Sequence, residues 1–185
     1  QINPHFLYNT LDSVNWMLIA RGEMDISAVV VALGKLMQYS MDTARAMVSL
    51  EEEYRNVRDY LMIQKNRLED RLEFTLELDE PLKCFPVPKL ILQPLVENAI
   101  IHGLDGCANG YICIYAAQKD GILRISVTDD GCGMGQEMLD WMNSPNPAKR
   151  DGHLGLYNVI QILKLYYGEE YGIQAESDTS GTTVT

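Results

Sequence analysis

The sequence predicts an α+β protein in which a helical hairpin precedes an α/β domain. Two amphipathic segments fill residues 1–45 and are separated by a short polar turn around Gly22. Beyond them, helical segments alternate with segments in which every second residue is apolar, as in half-buried strands. We therefore expect a domain boundary between Ala44 and Val48, with an N-terminal unit of residues 1–45 and a C-terminal unit of residues 46–185.

Both segments of the N-terminal unit carry apolar residues at three- and four-residue spacing, which predicts amphipathic helices. Two such helices joined by a short turn form a hairpin. Because a single hairpin leaves part of its apolar surface uncovered, we expect it to pair with a second copy as a four-helix bundle. The apolar positions are Phe6, Leu7, Leu11, Val14 and Leu18 in the first helix and Val30, Leu33, Leu36, Met37 and Tyr39 in the second.

The C-terminal unit opens with a helix, because Ser49 followed three residues later by Glu52 is a capping signature. The dipeptide Asp120-Gly121 between two alternating segments predicts a β-hairpin. In chain order, the predicted elements are a helix over 49–70, a strand over 71–78, a helix from 93 that stops at Gly103, strands over 111–117 and 122–128, helices over 137–142 and 154–167, and strands over 171–176 and 182–185.

Composition narrows the classes of function. The net charge of −11 argues against a nucleic-acid-binding surface, which needs clustered Lys and Arg. It is compatible with one nucleotide, which needs only a local set of amides, a cation and a metal ion. The four cysteines have neither CxxC spacing nor nearby histidines, so zinc is not expected and the thiols fit a reducing cytosol.

The ends of the sequence fall inside predicted elements. Gln1 lies in a helix-like segment and Thr185 in a strand-like run, so we expect an excerpt of a longer protein. The sequence has no signal-peptide pattern and no apolar run of about eighteen residues. Any membrane segment is therefore expected before Gln1.

Three motifs of the C-terminal unit carry candidate chemistry, and the first is a polar helix edge. Glu97, Asn98 and His102 lie beside the apolar stripe of the helix that starts near Gln93. An ordinary solvated helix face would have the same pattern, so the later motifs decide between the two readings.

Two glycine motifs follow. Asp129 ends a predicted strand, where its carboxylate can accept a hydrogen bond from the exocyclic amine of adenine, and Gly131 and Gly133 let the backbone pass close beneath a flat base. Gly152 and Gly155 stand at the start of the last long helix, where free amides and the helix dipole favour phosphate. These residue types predict a nucleotide site.

The loop over 135–151 separates the two glycine motifs and has the composition of a mobile lid. It carries Lys149 and Arg150, although a basic pair in a loop is also common as a solvated tip.

In the N-terminal hairpin, Pro4 is expected to start or kink the first helix and to expose His5. The alternative for His5 is an ordinary surface histidine.

The order of the motifs carries a family resemblance. A Glu-Asn helix, then Asp-x-Gly-x-Gly, then Gly-x-x-Gly-Leu resembles the N, G1 and G2 boxes of the GHKL (Bergerat-fold) ATP-binding domain, and no P-loop signature is present. Residues 1–11 are similar to the phosphoacceptor box of LytS/YesM-type sensor histidine kinases, as are residues 60–67 and 93–103 to other segments of that family. The resemblance implies a two-layer α/β sandwich of the Bergerat fold after the hairpin.

The resemblance implies roles for four polar residues by motif position. His5 corresponds to the histidine that receives the γ-phosphoryl group of ATP. Asn98 corresponds to the Mg²⁺ ligand, and Glu97 to the neighbour that orients or deprotonates the attacking group. His102 falls inside the N box and is expected to line the nucleotide.

The other implied site residues lie in the glycine motifs and the last strand. Asp129 corresponds to the adenine-binding aspartate, and Gly131 and Gly133 to the residues that shape the base pocket. Thr182 lies in the final strand beside the pocket. The residues expected to meet the phosphates are Leu154, Gly155 and Leu156.

The implied cofactors are ATP and Mg²⁺. The implied partners are a second copy of the chain and the receiver-domain aspartate of a response regulator, with no nucleic acid. The chain would be the cytoplasmic part of a protein anchored in the bacterial cell membrane by segments outside residues 1–185. A flexible link over 44–48 would let the ATP-binding unit reach His5.

The sequence departs from the family pattern at three positions. Asp130 stands where asparagine is more usual, and Ile162 stands where arginine is usual on the last long helix. Phe6 follows His5 where many histidine kinases carry an acid that orients the imidazole, which leaves Asn9, one turn further on, as the candidate.

Two other classes of function remain open from the sequence. One is a GHKL ATPase that works as a conformational clamp, although a histidine-bearing hairpin before the ATP domain argues against it. The other is a dimerisation and binding module without turnover, for which Ile162 is the one indication.

Overall fold

The N-terminal unit is a helical hairpin, as predicted. The computed structural model of the protein describes residues 4–104 and 106–185, apart from the side chains of Pro4 and Asp70, so the first three residues of the predicted phosphoacceptor box lie outside it. Helix α1 spans Pro4–Arg21 and helix α2 spans Met24–Met41. The Ser27 hydroxyl donates a hydrogen bond to Asn15 Oδ1 at 2.6 Å and joins the two helices.

The segment between the two units is more ordered than the predicted flexible link. Strand β1 (Met47–Ser49) pairs antiparallel with strand β3 (Pro86–Pro88), so Val48 is buried in a two-stranded ribbon. The sequence did not predict either strand, because proline cannot donate to a strand ladder and is confined to edges. The boundary between 44 and 48 remains a prediction.

Helix α3 spans Leu50–Leu68 and starts as its capping signature predicts. Ser49 Oγ accepts from the Glu52 N–H at 3.2 Å, and Glu52 Oε2 accepts from the Ser49 N–H at 3.0 Å. These two bonds satisfy backbone donors that the first helical turn leaves unpaired. A short 3₁₀ turn over Glu69–Arg71 then leads into the sheet.

A five-stranded mixed sheet forms one layer of the C-terminal unit, with strand order β2-β4-β5-β7-β6. Strand β4 pairs parallel with β2 and antiparallel with β5, and the remaining pairs are antiparallel. Asp120 and Gly121 both have positive φ between β4 and β5, which confirms the predicted hairpin turn. The strands are β2 (Leu72–Glu77), β4 (Gly110–Lys119), β5 (Ile122–Asp129), β6 (Ala175–Asp178) and β7 (Gly181–Val184).

The last hairpin is shorter than predicted. We expected a strand from residue 171, but β6 begins at Ala175. The Tyr171 N–H instead donates to the Gly168 carbonyl at 3.1 Å, so residues 168–171 form a turn after the preceding helix. The prediction placed the strand too early because Tyr171 and Ile173 alternate with other residues as they would in a strand.

Helices form the second layer, so the predicted two-layer α/β sandwich is confirmed. They are α4 (Gln93–Asn98), α5 (Gln136–Met142) and α6 (Leu154–Tyr167), together with α3. One core lies between the layers; it joins Ile112, Ile114 and Val127 of the sheet to Val57, Val96 and Val159 of the helices. Within residues 4–104 and 106–185, no helix combines the length and apolar character that crossing a bilayer requires.

Helix α4 differs from its prediction in its second half. After Asn98 the chain winds as a π-helical turn over Ala99–Gly103, with the Leu104 N–H donating to the Ala99 carbonyl at 3.0 Å. Gly103 is the last residue of this wider turn and does not follow the helix as a separate stop. Apolar spacing cannot distinguish one wider turn from a regular one, and such turns are frequent at functional sites.

Candidate functional site

A cavity of about 300 Å³ opens where the π-helical turn meets the ends of β5 and β7. The loop after β5, helix α5 and the loop before α6 complete its wall. The lining residues are Asn98, His102, Gly103, Asp129, Gly133, Met134, Gly135, Glu137, Met138, Arg150, His153 and Thr182. The structure therefore brings together five of the predicted site residues: Asn98, His102, Asp129, Gly133 and Thr182.

Asp129 is the buried acid of this cavity. It ends β5, opposite Thr182 of β7, and its Oδ1 accepts from the Gly131 N–H at 3.1 Å. Burial raises the pKa of Asp129, and the backbone N–H groups of Gly131 and Thr182 partly offset that increase. A desolvated carboxylate at a cavity wall is a strong acceptor for one N–H donor of a ligand.

The π-helical turn and the loop after β5 touch through backbone atoms beneath this carboxylate. The Cys132 N–H donates to the Gly103 carbonyl at 2.9 Å. A Cβ on Gly131 would lie 1.8 Å from that carbonyl oxygen, and a Cβ on Gly103 would lie 2.6 Å from Asp129 Oδ1. Both positions therefore require glycine, and Gly103 makes this contact from the last position of the wider turn.

The loop after β5 is also fixed to the last hairpin. Gly133 has φ +78°, and a Cβ there would lie 2.0 Å from the Asp178 carbonyl oxygen. Next to it, the Met134 N–H donates to Ser177 Oγ at 2.7 Å, and Ser177 Oγ donates to the Gly181 carbonyl at 3.0 Å. These contacts hold the backbone that forms one wall of the cavity.

Two imidazoles and one guanidinium form the other end of the cavity. The ring centroids of His102 and His153 are 5.4 Å apart, and Trp141 lies 6.0 Å from His153. Burial lowers the pKa of His153, and the neighbouring His102 and Arg150 lower it further. Arg150 Nη2 lies 3.0 Å from Glu137 Oε1. The donors here suit an anionic group such as phosphate.

Asn98 and Glu97 are placed differently although they are adjacent in sequence. Asn98 is buried and lines the cavity, where its amide oxygen suits Mg²⁺, a cation that takes few ligands from protein. Glu97 does not line the cavity, and its Oε1 accepts from Gln93 Nε2 at 2.9 Å. In the part of the chain that the structure describes, no cluster of three or more His, Cys, Asp or Glu side chains could hold a metal ion.

The three G2-box residues expected to meet the phosphates lie outside the cavity. Leu156 is in the core, Leu154 is exposed, and a Cβ on Gly155 would lie 3.1 Å from Pro94 Cβ. None of the three lines the cavity; the neighbouring His153 does. Gly155 therefore allows α6 to approach α4 closely, a packing role that the glycine pattern alone does not reveal.

His5 lies on α1 and is exposed, and it is not among the cavity-lining residues. Asn9 Nδ2 lies 3.3 Å from His5 Nδ1, as expected for residues one helical turn apart.

The three departures from the family pattern lie outside the cavity. The side chain of Asp130 accepts a hydrogen bond from the Tyr111 N–H at 2.6 Å. Ile162 packs against the core, and Phe6 is exposed.

Sequence reasoning did not single out four of the lining residues, Gly103, Met134, Glu137 and Met138, although Glu137 and Met138 lie in the predicted lid over 135–151. Met134 precedes Gly135, the N-cap of α5, and Met138 lies inside this seven-residue helix. The two methionines therefore span a segment too short to give a periodic apolar signal. The residue types that line the cavity suit a nucleotide base, because they provide apolar walls, one buried hydrogen-bond acceptor and several hydrogen-bond donors. Its volume is near the lower end of the range for small-molecule sites, which begins at about 300 Å³.

Comparison with known proteins identifies the family of this chain. A histidine kinase model matches residues 1–72, and the model of histidine kinase-, DNA gyrase B- and HSP90-like ATPases matches residues 87–185. The sensor histidine kinase YesM of Bacillus subtilis (strain 168) is 40% identical over 182 residues, which are 96% of this chain and 30% of YesM. The chain belongs to the histidine kinases of the GHKL superfamily. Membership implies ATP binding by residues 87–185 of this histidine kinase chain.

Solved histidine kinases share its fold. The kinase domain of the blue-light activated histidine kinase EL346 from Erythrobacter litoralis aligns with a TM-score of 0.58 and 19% identity, covering 97% of this chain and 93% of that one. The histidine kinase ThkA, solved in complex with the response regulator TrrA, aligns with a TM-score of 0.50 and 20% identity, covering 91% of this chain and 48% of that one. This histidine kinase chain spans about three tenths of the length of YesM.

Proposed function

We propose that the chain is the catalytic region of a two-component sensor kinase, which transfers the γ-phosphoryl group of ATP to His5 and then to an aspartate of a response regulator. The observation that carries the proposal is the buried Asp129 in a cavity of a GHKL domain that directly follows a hairpin bearing an exposed histidine. ThkA, which has the same fold, was solved with a response regulator, and this supports the choice of partner.

Base recognition is assigned to Asp129. Its carboxylate accepts a hydrogen bond from the exocyclic amine of adenine, while Met134 and Met138 supply apolar contact and Gly133 keeps the wall flat. Guanine presents a carbonyl oxygen at the corresponding edge, which an ionised carboxylate repels. The site should therefore prefer adenine nucleotides.

The phosphates are assigned to the opposite end of the cavity. Arg150, His102 and His153 are the donors available there, and Asn98 Oδ1 would hold Mg²⁺. When bound, the metal ion neutralises charge that develops on the phosphate oxygens. Leu154, Gly155 and Leu156 support this end indirectly, because they fix the start of α6 beside His153.

His5 is assigned as the nucleophile. A neutral imidazole with its lone pair on Nε2 attacks the γ-phosphorus; the new N–P bond forms as the bond to the bridging oxygen of ADP breaks, and the proton on Nδ1 then passes to water. Rotating the Asn9 amide by 180° would turn its oxygen toward Nδ1–H and hold that tautomer. Glu97, next to Asn98, is proposed to orient the attacking group.

The test is transfer of label from γ-labelled ATP in the presence of Mg²⁺. Phosphohistidine is labile in acid and stable in base, so the wild-type chain should carry acid-labile label. His5→Gln should carry none while it binds ATP as the wild type does, because His5 does not line the cavity. Label that resists acid, or that persists in His5→Gln, contradicts the proposal.

The wider setting is proposed from the family. The chain acts as a homodimer through residues 1–45, with residues 46–185 as the ATP-binding unit. It is the cytoplasmic part of a bacterial membrane protein, anchored by segments outside this chain. The name and greater length of the sensor kinase YesM support this setting.

A further inference from the structure

A fully buried carboxylate joins the hairpin to the helix that carries Asn98. Glu53 of α3 is entirely inaccessible to solvent. Its carboxylate accepts hydrogen bonds from the N–H groups of Leu90, Ile91 and Leu92, at 2.7, 3.0 and 3.0 Å. It also accepts one from the hydroxyl of Tyr39 on α2. A carboxyl group buried in this way is tolerated because several donors satisfy its oxygens.

The segment that Glu53 holds is strained and lies immediately before α4. Leu90 has φ +62°, a left-handed conformation that side-chain-bearing residues rarely adopt. The backbone of Leu90 is held in place by the bond from its N–H to Glu53 Oε1, the oxygen that also accepts from Tyr39. One carboxylate therefore binds three consecutive N–H groups immediately before the start of α4 at Gln93.

The end of α2 and the residues that follow it make a second set of contacts with the segment before α4. Lys89 Nζ lies 4.7 Å from the centre of the Tyr39 ring and donates to the Asp42 carbonyl. The Lys89 N–H donates to the Ala46 carbonyl at 3.0 Å. Burial raises the pKa of Tyr39, and the Glu53 carboxylate raises it further, so its hydroxyl keeps the proton that it donates.

A second side chain of α3 continues the connection along α4. Asn56 lies one turn after Glu53, and its Nδ2 donates to Gln93 Oε1 at 3.1 Å. Gln93 Nε2 in turn donates to Glu97 Oε1 at 2.9 Å. Hydrogen bonds thus lead from α3 to the residue beside Asn98.

We propose that Glu53 and Asn56 are positioning residues of the nucleotide site, and that the Tyr39 hydroxyl ties their position to the helical hairpin. The inference rests on the proposed function in so far as α4 carries the nucleotide ligands. Its consequence is that the cavity responds to the position of α2, although Tyr39 touches no cavity-lining residue through its hydroxyl.

The test uses Tyr39→Phe in the whole chain, which removes the hydroxyl and keeps the ring beside Lys89. ADP affinity by calorimetry and melting temperature are measured on the same preparations. We expect ADP to bind several-fold more weakly. The matched control is Tyr111→Phe, which removes a hydroxyl bonded to Thr75 Oγ1 at 2.7 Å on the sheet and should leave ADP affinity unchanged.

Two further variants separate positioning from simple support. In a Glu53→Gln background, Tyr39→Phe should have little additional effect on ADP affinity, because the pair acts as a unit. Asn56→Ala, which keeps Glu53, should slow His5 labelling at saturating ATP more than it weakens ADP binding, because it loosens Gln93 and Glu97.

The outcomes are distinguishable. If Tyr39→Phe lowers the melting temperature but binds ADP as the wild type does, and Asn56→Ala labels at the wild-type rate, the residues only stabilise the fold and the inference is wrong. If the wild-type chain binds no adenine nucleotide, the proposed function itself fails.

Discussion

Arg150 and Glu137 form an ion pair beside the candidate phosphate end of the cavity, with Nη2 and Oε1 3.0 Å apart. Both side chains line the cavity, and their exposed fractions of 39% and 84% mean that solvent screens the pair. Among the lining residues that the structure describes, Arg150 is the only Lys or Arg. Its partner is thus an acid that a phosphate group would have to displace.

We predict that Arg150→Gln weakens ATP binding several-fold while adenosine binding changes little, because adenosine has no phosphate for the guanidinium to contact. Glu137→Gln should have the opposite effect on ATP, since it removes the competing acid. Calorimetry with both ligands checks this, with the exposed neighbour Lys149→Gln as control. Equal losses for ATP and adenosine would count against a phosphate role.

The second prediction concerns the pH dependence of base recognition. Because the pKa of Asp129 is raised by burial, its carboxylate takes up a proton at a higher pH than an exposed aspartate does. Adenosine affinity should therefore be constant above the raised pKa and fall as the pH is lowered through it. Adenosine is the right probe, because it has no phosphate, and protonation of His153 would affect the binding of phosphates in the opposite direction.

Asp129→Asn should bind adenosine more weakly by about 1–3 kcal/mol and show no such pH dependence near that pKa. The fold itself should respond in the opposite sense: the folded chain binds this proton more tightly than the unfolded chain, so protonation of Asp129 favours folding. A wild-type affinity that rises as the pH is lowered would exclude Asp129 as the acceptor.

The third prediction concerns the backbone contact beneath Asp129. A Cβ on Gly131 would lie 1.8 Å from the Gly103 carbonyl oxygen, so Gly131→Ala must push the two segments apart. We expect it to lower the free energy of unfolding by about 1–3 kcal/mol or more and to abolish adenosine binding. Denaturant unfolding and calorimetry measure the two effects.

Gly34→Ala is the control for that substitution. Its nearest neighbour is Leu11 Cδ1 at 3.8 Å, an ordinary contact, and Gly34 lies within helix α2. Alanine there should raise the free energy of unfolding by up to about 1 kcal/mol through helix propensity. If Gly131→Ala were tolerated equally well, the close approach of Gly103 would not exist in solution.

The fourth prediction concerns the proposed homodimer. Trp16 on α1 is 70% exposed, and Phe6, Met17, Met24 and Ile26 of the hairpin are also exposed. Trp16→Glu should weaken self-association by about 2 kcal/mol or more, as loss of a central aromatic contact does. Sedimentation equilibrium is the measurement. Leu165→Glu, at an 81% exposed position on α6, should remain as dimeric as the wild type.

Much of the fold was predictable because its signals are local. The Ser49–Glu52 capping box, the Asp120-Gly121 turn and the apolar spacing of α1 and α2 depend on residues within a few positions of one another. The position of Asp129 at the cavity wall was also predictable, since the two glycines that follow this strand end leave room beside it.

What was not predictable depends on distant contacts. The π-helical turn exists where Gly103 meets Gly131, and strand β3 exists because Pro86–Pro88 finds β1. Within the G2 box, His153 was expected to line or flank the nucleotide and does line the cavity, whereas the packing of Gly155 on Pro94 was not predicted. Glu53 is one of three acids in the first turn of α3, and only its distant donors distinguish it as a buried hydrogen-bond acceptor.

The cavity is assembled from segments that lie far apart in the chain, from Asn98 to Thr182. A molecule bound there acts as a removable cross-link between them. By mass action, a ligand at a hundred times its dissociation constant adds about 2.7 kcal/mol to the free energy of unfolding. A lower nucleotide concentration leaves more of the sites unoccupied, and in unoccupied molecules the segments separate more often. The rate of proteolysis of this domain should therefore rise as the nucleotide concentration falls.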